Sequence, residues 1–104
     1  VTERADDGVG LSVVVPVYRG AEYLEELVAL LDRLRQELVE RGAPLVLREA
    51  VFVDDASADG SLALLARLAE DRPWLRTVAL SRNFGQHAAT AAGIRCCGGD
   101  WIAT

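Results

Sequence analysis

Read from its apolar and polar positions, the chain alternates between short β-branched runs and longer stretches with helical spacing. Residues 11–17, L-S-V-V-V-P-V, predict a first strand. Pro16 cannot donate to a sheet ladder, which places it where pairing stops. Leu24, Leu27, Val28, Leu31, Leu34 and Leu38 then repeat at helical spacing, predicting a helix over residues 21–41 whose leucine stripe is core. Glu22, Glu25 and Glu26 complement the positive end of its dipole, and Gly42 and Pro44 stop it.

The second strand ends in Val51, Phe52 and Val53, with residues 45–48 leading in. Its unbroken apolar run is that of a strand covered on both faces. The next helix, over residues 58–71, turns Leu62, Leu65, Leu68 and Ala69 inward and is capped by Ser57 or Asp59. Pro73 closes it, and Trp74 is read as a core anchor. A third strand spans residues 77–80 and a third helix residues 86–97, where Ala89, Ala92 and Gly93 allow close approach to the sheet. Gly98 and Gly99 end that helix, and Trp101 opens a fourth strand inside which the chain stops. Residues 1–10, polar and without periodicity, read as a disordered leader; residues 11–104 form one domain. The expected fold is a three-layer α/β/α, doubly wound parallel sheet.

Such a sheet gathers the loops after its strands on one edge, where ligands bind. Here that edge would carry Tyr18 and Arg19, then Asp54, Asp55, Ala56 and Ser57, then the run S-R-N-F-G of residues 81–85. Adjacent carboxylates are costly to desolvate and so are rarely placed for packing. Either they serve a ligand, or one caps the turn while the other faces water.

Composition narrows the chemistry. The 104 residues are 51% hydrophobic and 26% charged, as expected of a folded domain, with a formal net charge of -5. That charge, without a basic stripe, argues against nucleic acid as a partner. All 11 basic residues are Arg, so lysine chemistry is excluded within the chain. Cys96 and Cys97 are neighbours, which suits neither a disulfide staple nor a metal site, and they read as small semi-buried residues of a reducing compartment. No stretch reaches the ~18 apolar residues of a membrane span, so the chain reads as soluble. G-x-G-x-x-G, the P-loop and a nucleophile elbow are missing, and the single His has no second His for zinc. What remains suits a nucleotide: a carboxylate to accept from a base or ribose, a ring to pack on the base, and helix N-termini with Arg for a diphosphate.

Three motifs in order, V-V-P-V-Y, V-D-D-A-S-A-D-G-S and S-R-N-F-G-Q-H-A-A-T-A-A-G-I, resemble the start of family 2 glycosyltransferases, inverting enzymes of the GT-A fold that use nucleotide sugars. The third is most similar to the polyprenyl-phosphate branch, which includes dolichyl-phosphate mannose synthases and the undecaprenyl-phosphate 4-deoxy-4-formamido-L-arabinose transferases. The resemblance implies a UDP-sugar donor, a polyprenyl-phosphate acceptor and a role in cell-envelope glycan or glycolipid synthesis at the cytoplasmic face of the membrane. It puts Pro16 and Tyr18 beside the uridine and Asp55, with Asp54 next to it, on base and ribose. It also lines the donor pocket with Gly85 and Arg82, the latter equally readable as a salt bridge steadying its loop. His87 fits a polar first-turn position. A divalent cation, Mg or Mn, is implied with ligands beyond Thr104, as are the catalytic base and membrane-contacting segments. No catalytic or metal-binding residue is assigned within the chain, which alone would be inactive. The pattern departs at two places. Arg19-Gly20 stands where the family commonly has Asn-Glu, leaving Glu22 as a substitute acid or none, and Ala56 stands where Gly often follows the acid pair.

Two other classes compete. A phosphoacceptor domain also ends a strand in paired acids, but after the first strand and with a Lys, which this chain lacks. A non-catalytic α/β module would self-associate through an open sheet edge, giving a homo-oligomer.

Overall fold

The expected alternation is present in the computed structural model, which describes residues 9–104. In chain order the elements are β1 (Val9–Val17), α1 (Leu24–Glu40), β2 (Leu45–Asp54), α2 (Ser61–Ala69), β3 (Leu75–Ala79), α3 (Gln86–Cys96) and β4 (Trp101–Ala103). The strands form one parallel sheet in the order β3-β2-β1-β4. Residues 1–8 of the expected leader lie outside the described residues, whereas Val9 and Gly10 belong to β1, the Val9 N–H donating to the Pro44 carbonyl.

Right-handed crossovers explain the layers. The chain steps from β1 to β2 to β3 in one direction, so α1 and α2 cover one face. There Leu24, Val28, Leu31, Leu64 and Leu65 close over Val17, Leu47, Ala50, Phe52 and Leu75. The return from β3 to β4 puts α3 on the other face, with Ala89 against Val51 and Val53. Gly93 brings that helix close, since a Cβ there would stand 2.4 Å from Val14 Cγ1 and 3.0 Å from Val53 Cγ2. Burial of a side chain such as Phe52 is worth about 1.5–3 kcal/mol, and Trp74, also buried, anchors the same core under Arg35.

Several helix details differ from the pattern reading. The Gly20 carbonyl accepts both the Tyr23 and Leu24 N–H groups, so a tight turn precedes α1 and the helix starts at Leu24. Leu34 lies on the flank of the core stripe, 38% exposed. In α2 the phase is set by buried Ser61, which turns Leu64 and Leu65 inward and leaves Leu62 outside. Neither Ser57 nor Asp59 is the N-cap of α2; Gly60, at φ 88°, takes that place.

One structural acid was invisible to the pattern. Leu11 pairs with Leu47 but Ser12 with Glu49, so Arg48 is an extra residue that turns Glu49 to the α3 face. The buried Glu49 carboxylate accepts from the Ser12 hydroxyl (2.6 Å), the Gly98 N–H (2.5 Å) and Arg76 (2.7 Å). Gly99 adds its N–H to Ser12 Oγ, tying the α3–β4 connection to β1. Burial alone would raise the Glu49 pKa, but the Gly98, Ser12 and Arg76 donors together bring it below its ordinary 4.5.

Two measurements follow. Because the folded-state pKa of Glu49 is depressed, its stabilisation is complete above about pH 4.5 and is lost as pH falls through the lower folded value. Urea unfolding should therefore show Glu49→Gln less stable than wild type at neutral pH, with the gap closing in acid; a gap independent of pH would remove the charge from this role. Gly93→Ala would ordinarily gain about 1 kcal/mol of helix propensity. Here the Val14 contact should turn that into a net loss, overpacking costing about 1–3 kcal/mol; a stabilised variant would mean that α3 is not pressed on β1.

Candidate functional site

The strand order locates the site. With β2 and β3 on one side of β1 and β4 on the other, the topological switch lies at the C-terminal end of β1. A cleft of about 280 Å³ opens there, lined by Pro16, Val17, Tyr18, Tyr23, Asp55, Gln86 and Ala89. The Val17 carbonyl accepts the Asp55 N–H on the β2 side. Pro16, one residue earlier, therefore points toward β4, whose pairing with β1 ends at Val13, so its missing N–H leaves no gap in the ladder. A larger hollow of about 430 Å³ between α1 and β2 is not a comparable site. Its polar groups are committed: Asp32 to Arg72, Gln36 to Glu40, and Arg35 to the Leu47 carbonyl.

The segment after β2 holds the edge together. Asp55, 3% exposed, accepts the Phe84 N–H on Oδ1 at 2.8 Å and the Gly85 N–H on Oδ2 at 2.9 Å. Three successive N–H groups of the first loop are taken in the same way. Arg19 donates to Ser57 Oγ (2.7 Å), Gly20 to Ser61 Oγ (2.8 Å) and Ala21 to Asp59 Oδ2 (3.2 Å). Asp59 also accepts the Ser61 hydroxyl and N–H, so it serves the start of α2 from outside the cap. The Ser61 hydroxyl above all, then the Ala21 and Ser61 N–H groups, hold the Asp59 carboxyl below the usual range. Asp54, 2% exposed, closes its own turn by accepting the Ser57 N–H on Oδ2, while its buried Oδ1 has no partner among the described residues.

The expected site residues are thus brought together unequally. Pro16, Tyr18 and Asp55 line the cleft, and Tyr18 is 52% exposed with Arg19 above its ring. Asp54 stands under the loop and does not line the cleft. Gly85, at φ 98°, is the N-cap of α3 and gives its N–H to Asp55. Arg82 makes no salt bridge among the described residues; its guanidinium lies 4.9 Å from the centre of the exposed Phe84 ring. His87 is exposed in the first turn of α3, and Glu22 is exposed outside the cleft. Tyr23 and Gln86 were not singled out, although each stands at a helix start on the edge where helix N-termini meet the cleft. The two left-handed residues other than glycine, Arg19 (φ 58°) and Ala56 (φ 59°), are the positions where the motifs depart from Asn and Gly, the residues that tolerate that conformation best.

Among the described residues, no three His, Cys, Asp or Glu side chains are grouped to hold a metal ion, and no helix is long and apolar enough to cross a membrane.

The fold is that of the GT-A transferases, and the chain belongs to Glycosyl transferase family 2, whose family model matches residues 12–104. Among curated proteins it is 41% identical over 96 residues to the undecaprenyl-phosphate 4-deoxy-4-formamido-L-arabinose transferase of Pseudomonas syringae pv. syringae (strain B728a), covering 90% of this chain and 26% of that protein. The protein of the same name from Pectobacterium carotovorum subsp. carotovorum (strain PC1) is 38% identical over 100 residues, covering 95% and 29%. The chain thus spans about a quarter of the length of these relatives. Among solved structures, the mannosyltransferase PcManGT from Pyrobaculum calidifontis, in complex with GDP-Man and Mn2+, superposes with a TM-score of 0.69 at 28% identity, over 91% of this chain and 26% of that one. S. aureus TarS 1-349 shares the fold, with a TM-score of 0.69 at 22% identity, over 89% and 26%.

Removing the Asp55 carboxylate should free the third loop. Asp55→Ala is expected to speed amide hydrogen exchange at Phe84 and Gly85 and to cost about 1–3 kcal/mol of global stability. Unchanged exchange at both amides would show that the loop is held by something else.

Proposed function

We propose that this chain is the nucleotide-binding part of an inverting transferase that takes a UDP-sugar and delivers the sugar to a polyprenyl phosphate in cell-envelope synthesis. The observation that carries the reading is the juxtaposition of Tyr18 and Asp55 in one cleft at the switch point of the sheet. The exposed Tyr18 ring offers a face for the base. Asp55 receives two N–H groups, but a carboxylate has about four acceptor positions, so lone pairs remain for a base or ribose donor. Pro16 shapes the cleft floor, Asp54 shapes the turn that presents Asp55, and Gly85 begins the helix beside them.

The diphosphate fits best at α3. The first turn of α1 carries Glu25 and Glu26, which repel an anion, and the first N–H of α2 is held by Asp59. The first turn of α3 has no acid, and the Arg82 guanidinium, which makes no salt bridge among the described residues, precedes it. The polyprenyl-phosphate acceptor is proposed from the curated relatives, whose names include undecaprenyl phosphate, and the divalent cation from the mannosyltransferase structure, which holds Mn2+. The residues described here form no metal site of their own, and no step is assigned to one.

Calorimetric titration of the chain with UDP and with GDP tests the reading. UDP should bind, and Tyr18→Ala should weaken it by about 1–3 kcal/mol, the usual worth of a base stacked on an aromatic ring. Inorganic diphosphate should bind wild type and variant alike. Failure of both nucleotides to bind would overturn the reading; GDP binding more tightly than UDP would reassign the base.

A further inference from the structure

The cleft has a second aromatic wall. Tyr23 lines it from the α1 side, across from Gln86 and Ala89 of α3. Its ring is seated on Gly20, where a Cβ would stand 2.9 Å from ring Cζ and 3.0 Å from the hydroxyl oxygen. Gly20 cannot easily give way, because its N–H is fixed on Ser61 Oγ and its carbonyl accepts the Tyr23 and Leu24 N–H groups. The Tyr23 hydroxyl has no hydrogen-bond partner among the described residues, and the residue is 40% exposed.

The hydroxyl is placed by its seat over Gly20, at the cleft wall formed by the first loop. Burial first, then the charges of Asp59 and Asp54, push the Tyr23 pKa up and keep its proton on. The first-loop wall also carries Tyr18, while Gln86 at the start of α3 lines the same cleft, so a ribose joining a base at Tyr18 to a diphosphate at α3 passes through the cleft that Tyr23 lines. A neutral phenol both donates and accepts, as does each hydroxyl of a vicinal diol.

Resting on the nucleotide reading above, we propose that Tyr23 is a specificity-determining residue that hydrogen-bonds the ribose diol of the bound nucleotide, with Gly20 providing the space that seats its ring. A ligand–protein cycle tests this without depending on the variant's stability. Wild type and Tyr23→Phe, which keeps the ring packing, are each titrated with UDP and with 2′,3′-dideoxy-UDP. Loss of the diol should weaken binding to wild type about tenfold and leave binding to Tyr23→Phe nearly unchanged, the amount expected of one hydrogen bond. Gly20→Ala, whose Cβ displaces the ring, should also lose the discrimination. Equal diol penalties in wild type and Tyr23→Phe, with UDP still bound, would overturn the assignment and leave the nucleotide reading standing. No UDP binding by wild type would overturn both.

Discussion

Backbone N–H groups that leave a strand end and turn under a neighbouring loop must find acceptors, because each one buried without a partner costs about as much as a lost hydrogen bond. At this sheet edge the side chains of one segment supply them. Asp55 takes the Phe84 and Gly85 N–H groups of the third loop; Ser57, Ser61 and Asp59 take those of Arg19, Gly20 and Ala21 in the first. The middle loop is therefore the frame on which the cleft is hung. Tyr18 and Arg82 come from segments whose backbones it fixes, so their spacing depends on a loop to which neither belongs.

The opposite edge uses the same device with a buried charge. Glu49 collects N–H, hydroxyl and guanidinium donors from the α3–β4 connection, β1 and β3. Breaking a pair of this kind leaves an uncompensated charge inside, so its donors are held to one geometry. The geometry concerned is the placement of β4 beside β1, which creates the switch point and hence the cleft. One carboxylate midway along β2 and one just past its end thus fix the placement of β4 and the path of the third loop.

Periodicity was enough to read the layers, because strand alternation and the small residues of α3 are local signals. Ala89 and Gly93 face the sheet as their spacing implies. Where a long-range partner decides the outcome, local reasoning missed it. Ser61 is buried because Gly20 donates to it, which rotates α2 and turns Leu64 inward in place of Leu62. Glu49 is buried only because the bulge at Arg48 shifts the alternation. The acid pair was legible as important, but a sequence does not show that a distant loop already takes one N–H on each Asp55 oxygen.

The departures from the family pattern acquire a physical meaning in this frame. Arg19 and Ala56 both hold φ near +60°, a conformation that costs an ordinary residue about 1–2 kcal/mol and suits Asn or Gly. One hydrogen bond, from the Arg19 N–H to Ser57 Oγ, ties the backbone at the first strained residue to the side chain that follows the second. The lacing of the loops can therefore hold the same backbone path with less suitable residues in it. What changes is the surface the path presents. Arg19 sets a guanidinium above Tyr18, and Gly20, without a side chain, leaves room for Tyr23 to enter the cleft. Substitutions at residues 19–23 therefore change the groups that this wall of the cleft offers, while the hydrogen bonds from the middle loop hold its backbone path.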